Sequence, residues 1–371
     1  MTEIPFLDLA AQHRALKREI LEVVSEALDS AAFVGGAQVA AFEEEFARFT
    51  GSPFAVGLAN GTDALRLALL ALGVGPGDHV VTVPNTFIAT TEAISQVGAQ
   101  IEFVDVDRAS ALMDPGRLED HLKRSGPAPK AIIPVHLYGQ CADMGALMAL
   151  ARKRGVLVLE DAAQAHGSTQ DGRTAGTFGD AAAFSFYPGK NLGACGEAGA
   201  ATTADAGVAA KLRMLRDHGQ EAKYQHPIEG YNARLDAMQA GILRVKLRRL
   251  REWNSARRAV AAVYDTGFTG LDWVEPVRIR RGNVSCMHLY VIHVAERDAL
   301  QAHLKSRGIA TGLHYPVPLH LQPAYAYLGL KRGSFPNAEW SASRLLSLPM
   351  YPELGADGAR RVIDAVASFR A

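Results

Sequence analysis

Short apolar runs broken by polar or glycine-rich stretches alternate along this chain with longer segments of helical spacing. Residues 11–28 place Leu16, Ile20, Val23, Val24 and Ala27 on one side of a helix, and after Phe33-Val34-Gly35-Gly36 the helical spacing resumes over 39–49. Residues 55–59 read as a strand and 64–72 as a helix. Strands over 80–83, 101–104, 131–135 and 156–159 then alternate with helices over 89–97, 115–123 and 143–154. This alternation predicts a mostly parallel sheet with helices on both faces. The apolar runs 181–186 and 199–203 are separated only by a glycine-rich loop, too short for a parallel crossover, so one of these strands is expected to run antiparallel. From Asp236 to Tyr264 the pattern predicts one long helix, with Leu243, Leu247, Leu250 and Asn254 on one stripe. Most of its basic residues, Lys246, Arg248, Arg249, Arg251, Arg257 and Arg258, fall on the opposite, solvated face. A smaller α/β unit follows, with a strand over 289–294, a helix over 297–307, an extended stretch over 308–316 and a closing helix over 356–369. The expected organisation is a large domain over residues 1–240 and a small C-terminal domain over 241–371 that begins with the bridging helix.

Composition narrows the function classes. A chain of 371 residues, 48% hydrophobic and 21% charged, has the balance of a soluble globular enzyme. Lysine plus arginine (39) equals aspartate plus glutamate (39), so no global field draws in nucleic acid or an anionic membrane surface. Cys141, Cys195 and Cys286 are odd in number and form no CxxC, which fits a reducing compartment. The first residues carry acids and lack the apolar core of a signal peptide, and no apolar run reaches membrane-spanning length; a cytoplasmic location is expected. The twelve histidines show no HExxH or paired-ligand spacing, so no metal is expected. The nearest pair, His314 and His320, reads as substrate-facing or structural.

The chemistry concentrates between Val156 and Thr203. Asp161 stands where one apolar run ends, and Lys190 lies on the irregular loop between Gly189 and Gly193. Ligands of open α/β sheets sit outside the carboxyl ends of the strands, which places both residues at one crevice. Taken singly, Asp161 also reads as a cap and Lys190 as a solvated loop lysine. A third feature is the strand, turn and helix start at Asn60-Gly61-Thr62-Asp63: an anion site by its free amides and dipole, or an ordinary N-cap by Asn60 or Thr62. Other motifs fail on position. A P-loop ending at Lys190 would need glycine at Phe184 and a hydroxyl residue at Asn191, and a nucleophile elbow at Ser185 would need glycines at Ala183 and Tyr187. The glycines at Gly73 and Gly75 precede a strand, the wrong context for a dinucleotide fingerprint. An anion site, a strand-end carboxylate, a loop lysine and Phe87 at another strand end together match the needs of pyridoxal phosphate.

The motifs GTDAL, EDAAQ, SFYPGKN, GYNAR and TGLHYPVPLHLQPAY resemble the DegT/StrS group of sugar-nucleotide aminotransferases, and the similarity runs from FLDLAAQ at Phe6 to LSLPMYP at Leu346. The resemblance implies a fold-type I, pyridoxal-phosphate-dependent homodimer with its sites at the subunit interface. It assigns Lys190 to the Schiff base, Asp161 to the pyridine nitrogen and Gln164 to the ring hydroxyl. Ser185, Gly61 and Thr62 fall to the phosphate, Asn232 reaches it from the neighbouring subunit, and Phe87 stacks on the ring. SFYPGKNLGA, RDHGQEAKYQH and HYPVPLH further resemble enzymes that move an amine from L-glutamate to C3 of a dTDP-linked 3-keto-6-deoxyhexose. That implies Tyr187, Tyr224, His314 and Tyr315 as sugar-nucleotide contacts, with packing as the alternative for the tyrosines. Amination at C4, or of a UDP sugar, is the alternative within the family, and a non-catalytic cofactor or sugar-nucleotide sensor the alternative outside it. Dehydratases on this scaffold replace the lysine by histidine, which Lys190 argues against. Two departures bear on substrate fit: Cys195-Gly196-Glu197-Ala198-Gly199 where relatives commonly show Leu-Gly-Asp-Gly-Gly, and Gln225 where histidine often follows Lys-Tyr.

Overall fold

The structure, a computed structural model, describes residues 3–124 and 126–370. Two helices, α1 (Leu9–Ser30) and α2 (Gly36–Thr50), lead into β1 (Phe54–Leu58) and α3 (Gly61–Ala71). The alternation continues through β2 (His79–Thr82), α4 (Ala89–Gln96), β3 (Gln100–Phe103), α5 (Pro115–Leu122), β4 (Ala131–Ile132), α6 (Met144–Arg154) and β5 (Leu157–Asp161). A hairpin of β6 (Thr169–Gln170) and β7 (Arg173–Thr174) precedes β8 (Ala181–Ser185), the Lys190 loop and β9 (Gly199–Thr203). After α7 (Ala206–Arg216) come α8 (Ala237–Leu247), α9 (Leu250–Gly267), β10 (Glu275–Pro276), β11 (Asn283–Val284) and β12 (Tyr290–His293). The chain ends with α10 (Arg297–Ser306), α11 (Pro336–Arg344), β13 (Leu345–Leu348) and α12 (Gly355–Ala367).

Side-chain oxygens start several of these helices as the sequence pattern requires. Asp8 accepts from Ala11 N at 2.8 Å, Asp114 from Gly116 N at 2.7 Å ahead of Pro115, and Asp143 from Ala146 N at 3.3 Å. Gly155, in the left-handed region at φ 65°, ends α6 and turns the chain into β5.

Among the described residues the central sheet has seven strands in the order β1-β9-β8-β5-β4-β2-β3, with β9 alone antiparallel to its neighbours. The antiparallel strand expected beside the Lys190 loop is therefore β9. Both faces are covered. Along β8, Ala181 and Ala183 pack in the cluster with Leu65 and Leu69 of α3, while Ala182 and Phe184 pack with Phe42 and Phe46 of α2. A separate three-stranded antiparallel sheet, β10-β12-β13, packs with α9, α10 and α12 in another cluster. Ile4 belongs to that cluster and bridges to Ile309, so the first described residues pack against C-terminal ones.

The single helix expected over 236–264 is corrected by the structure. It is two helices, α8 and α9, separated at Arg248 and Arg249. Its basic face is also not uniformly solvated: Lys246 is fully buried, with Nζ donating to Gly193 O at 2.6 Å, and Arg257 is buried with Nη1 on Met350 O at 2.5 Å. Spacing alone made these two look exposed; backbone carbonyls brought from distant loops make their burial tolerable. The fourth parallel strand is also shorter than expected, Ala131–Ile132, because the chain departs at Pro134 and rejoins β5 only through the Val135–Asp161 bridge.

Glu160 locks the β7–β8 connection onto β5. It is fully buried and accepts from His136 Nε2 at 2.8 Å and from the amides of Gly176, Phe178 and Gly179 at 2.7–2.8 Å. His136 Nδ1 accepts from Ala142 N at 3.0 Å, which puts the ring proton on Nε2. Replacing Glu160 by alanine strands four donors, those of His136 and Gly176 buried and those of Phe178 and Gly179 partly so, and urea unfolding of Glu160→Ala is expected to show a loss of about 3 kcal/mol.

Candidate active site

The register of the central sheet assembles the site. Leu58 pairs with Gly199, and Gly199 with Ser185, so the carboxyl ends of β1 and β8 meet the start of β9 at one edge. The first turn of α3 therefore lies against the end of β8: a Cβ on Gly61 would stand 2.6 Å from Ser185 Cβ. Only glycine allows that approach. Asn60 is the N-cap of α3; its Oδ1 accepts from Asp63 N at 2.8 Å. The cap and the anion site thus coexist, because the cap engages Asp63 N and leaves the first-turn amides of Gly61 and Thr62 without it, with Gly61 against Ser185. The acid in that turn is offset by Arg66, whose Nη2 lies 2.5 Å from Asp63 Oδ1.

Asp161 closes β5, one strand over, paired with Ala183. It is buried, and Thr90 Oγ1 donates to its Oδ2 at 2.7 Å while Ala163 N donates to Oδ1 at 3.2 Å. Burial pushes its pKa up; Thr90, Ala163 and the charge of Lys190 oppose that shift. Lys190 shifts the other way. Its surroundings strip water from the amine and lower its pKa to about 8, with Asp161 and Cys286 holding it up. Gln164 is also buried, and Tyr138 N donates to its Oε1 at 2.7 Å. That fixes the carboxamide so that Nε2 points outward as a donor, 3.3 Å from Tyr315 OH.

Of the expected residues, Gly61, Thr62, Ser185, Asp161, Gln164 and Lys190 come together at this edge. Tyr315 joins them through Gln164, and its ring centroid stands 5.7 Å from that of Phe87, which is half-exposed at the rim. His314 is held by its backbone oxygen, which accepts from Tyr138 OH at 2.6 Å, and by Nδ1 at 2.9 Å from Ser347 Oγ. Burial and then Lys190 lower its pKa to about 4, so its imidazole is neutral at physiological pH. Tyr187 is exposed on the Lys190 loop. Asn232 and Tyr224 are not brought in: both are exposed, Tyr224 81% so, and among the described residues no contact joins either to Asp161 or Lys190. His320 is buried and pairs with Glu339 at 3.0 Å. Among the described residues no group of three or more His, Cys, Asp or Glu side chains is arranged to hold a metal, and no helix is long and apolar enough to cross a membrane.

Thr90 and Tyr138 were not expected from the sequence. Both lie just beyond the carboxyl ends of parallel strands, β2 and β4, the same rule that singled out Asp161. Applied to every strand of the sheet, it would have found them.

The model of one sequence family, the DegT/DnrJ/EryC1/StrS aminotransferases, matches residues 14–367. The chain belongs to that family. It is 45% identical over 363 residues to a dTDP-3-amino-3,4,6-trideoxy-alpha-D-glucose transaminase of Streptomyces venezuelae, covering 98% of this chain and 95% of the relative. It is also 45% identical to a UDP-N-acetyl-3-dehydro-alpha-D-glucosamine 3-aminotransferase of Acidithiobacillus ferrooxidans, covering 98% and 97%. Among solved structures, S. venezuelae DesV in complex with a ketimine intermediate superposes with a TM-score of 0.97 at 44% identity, covering all of both chains. The chain is therefore a sugar aminotransferase by family, with the mostly parallel, helix-flanked sheet expected of it.

The depressed lysine makes a stability prediction. Between about pH 8 and its usual value of 10.5, Lys190 is neutral in the folded chain and charged in the unfolded one, so stability attributable to this group rises with pH across that window. Below pH 8 the buried charge is a full penalty. Cofactor-free Lys190→Met is expected to melt above the wild type at pH 7, and calorimetry should show the gap narrowing as pH climbs from 8 towards 10.5.

Proposed function

We propose that this protein uses pyridoxal phosphate to transfer the amino group of L-glutamate to C3 of a dTDP-3-keto-6-deoxyhexose, in deoxyaminosugar biosynthesis. It acts as a cytoplasmic homodimer with shared active sites. The observation that carries the reading is the convergence of the Gly61–Ser185 cradle, buried Asp161, outward-facing Gln164 and Lys190 at one sheet edge. The two-domain division, residues 1–240 and 241–371, remains part of the proposal, supported by the separate sheet and hydrophobic cluster of the C-terminal elements.

These residues fit the cofactor on their own terms. The cradle brings the start of α3 against Ser185 because position 61 lacks a Cβ, and it offers helix-start amides and the Ser185 hydroxyl to an anion. Asp161 is a buried carboxyl with two neutral donors, and a protonated pyridine nitrogen would supply the cation that favours its charged form. Gln164 Nε2 is a donor held towards the crevice, suited to a ring oxygen, and it adds no charge. Phe87 would cover one ring face. When bound, pyridoxal phosphate supplies an electron sink conjugated to the carbon that exchanges its amine. Asp161, as a carboxylate facing the pyridine nitrogen, would keep that nitrogen protonated and so keep the sink deep. Lys190, neutral over an accessible pH range, takes a proton at Nζ from the donor's α-carbon side and returns it on the sugar side, without leaving the crevice. His314 and Tyr315 wall the substrate side, with Tyr187 and Phe87 at its rim. Asn232 and Tyr224, exposed in the single chain, are assigned to the neighbouring subunit's site.

Wild-type protein incubated with glutamate and 3-keto and 4-keto dTDP sugars should place the new amine at C3 by NMR, and borohydride reduction should label Lys190. Amination at C4, or turnover of a UDP sugar alone, would overturn the substrate, and label on Lys211 or Lys223 would overturn the attachment site. The UDP reading is the second one to carry, because the A. ferrooxidans relative matches this chain at the same 45% identity.

Subunit sharing has its own test. Mixed Lys190→Ala and Asn232→Ala protomers are expected to regain activity, since a heterodimer with each lesion on a different chain concentrates both lesions in one site and leaves the other intact. No recovery after verified subunit exchange would contradict action in trans.

A further inference from the structure

The loop between β8 and β9 carries Lys190 outside any helix or strand, so no ladder fixes its amine over the crevice. The backbone does part of this: Lys190 N donates to Tyr187 O, and Ala194 N to Phe186 O, both at 2.8 Å. The next residue does more. Asn191 is 1% exposed. Its Nδ2 donates to Asn254 Oδ1 at 2.9 Å and to the Cys286 backbone oxygen at 2.8 Å, and its Oδ1 accepts from His288 Nδ1 at 3.1 Å. Both amide hydrogens and the oxygen are engaged, so the carboxamide has one orientation. Asn254 is held in turn, its Nδ2 donating to His166 O at 2.7 Å, and His288 must carry its proton on Nδ1.

The partners come from α9 and from the segment between β11 and β12, both distant in sequence. That same segment reaches the Gln164 turn: Cys286 Sγ donates to Gln164 O at 3.2 Å, and Cys286 N to Gly139 O at 2.9 Å. One buried side chain thereby ties the lysine loop to the residues that hold Gln164.

We propose that Asn191 is a positioning residue that, through Asn254, Cys286 and His288, sets where the Lys190 amine stands relative to Asp161 and Gln164. The proposal rests on Lys190 being the attachment lysine. Without the carboxamide, three buried groups on two segments lose their partner. The loop then shifts to let water reach them, and water at the amine favours its charged form. The titratable groups around Lys190 are Asp161, His166, Cys286, His288 and His314; Asn191→Ala replaces none of them, and of these side chains only His288 loses a hydrogen bond to Asn191.

Competitive acetylation of cofactor-free protein across pH, read by mass spectrometry with exposed Lys223 as the internal standard, measures the Lys190 midpoint without any turnover. Asn191→Ala is expected to raise that midpoint; a one-unit rise cuts Lys190 labelling at pH 8 about fivefold. Gln239→Ala releases the same loop at Cys195 N, which Gln239 Oε1 accepts from at 2.8 Å, and is expected to lower the melting temperature without moving the midpoint. An unchanged midpoint in folded Asn191→Ala overturns the proposal, and so does an equal rise in Gln239→Ala. Should Asn191→Ala fail to fold, Asn254→Ala removes one of the three bonds and decides by the same readout. Borohydride mapping of the wild type separately tests the attachment lysine, so the two failures are distinguishable.

Discussion

Burial of Asp161 at the end of β5 takes a carboxyl out of water and leaves it Thr90 and the Ala163 amide as donors. Nearby, the amine of Lys190 is dehydrated too, and the two shifts run in opposite directions: the acid up, the base down. Each group is thereby brought closer to neutrality, and each is favoured in its charged form by the other. The site's architecture follows from keeping this pair dry yet reachable. Parallel strands β5 and β8 supply the edge, and the antiparallel β9 folds the Lys190 loop back over it.

That reversal of direction has a second consequence. Because β9 pairs with both β8 and β1, the start of α3 is drawn to the end of β8, and the glycine at 61 is what permits the contact. The anion cradle and the lysine loop are thus two products of one strand running against its neighbours. A parallel strand in that position would need a crossover connection and would leave no loop over the edge.

Most of the sheet was legible because its strands are buried on both faces and read as uninterrupted apolar runs. Asp161, Lys190 and the Gly61 turn were legible for the same reason: each interrupts such a run where a parallel sheet places ligands. What the sequence hid depends on contacts between distant segments. Lys246 and Arg257 carry the same spacing as their exposed neighbours, and only the carbonyls of Gly193 and Met350 distinguish them. The break at Arg248–Arg249 has no proline or glycine to mark it. Nothing in the spacing marked Glu160, adjacent to Asp161, as the residue that three backbone amides and His136 engage.

The contrast between these neighbouring carboxylates separates function from support at this strand end. Glu160 is surrounded by hydrogen-bond donors that belong to the chain, so its charge is fully accounted for within the fold. Asp161 has two, and neither is a cation. The fold surrounds one buried carboxylate with four hydrogen-bond donors and gives its neighbour half as many, with the charge of Lys190 nearby, so Asp161 is the less satisfied of the two. Gln164 is partly engaged as well, its oxygen accepting from Tyr138 N at 2.7 Å and its Nε2 donating to Tyr315 OH at a long 3.3 Å, which leaves one amide hydrogen over. Incomplete satisfaction, concentrated on residues that share one edge of the sheet, is what the proposed contacts of Asp161 and Gln164 with pyridoxal phosphate would draw on.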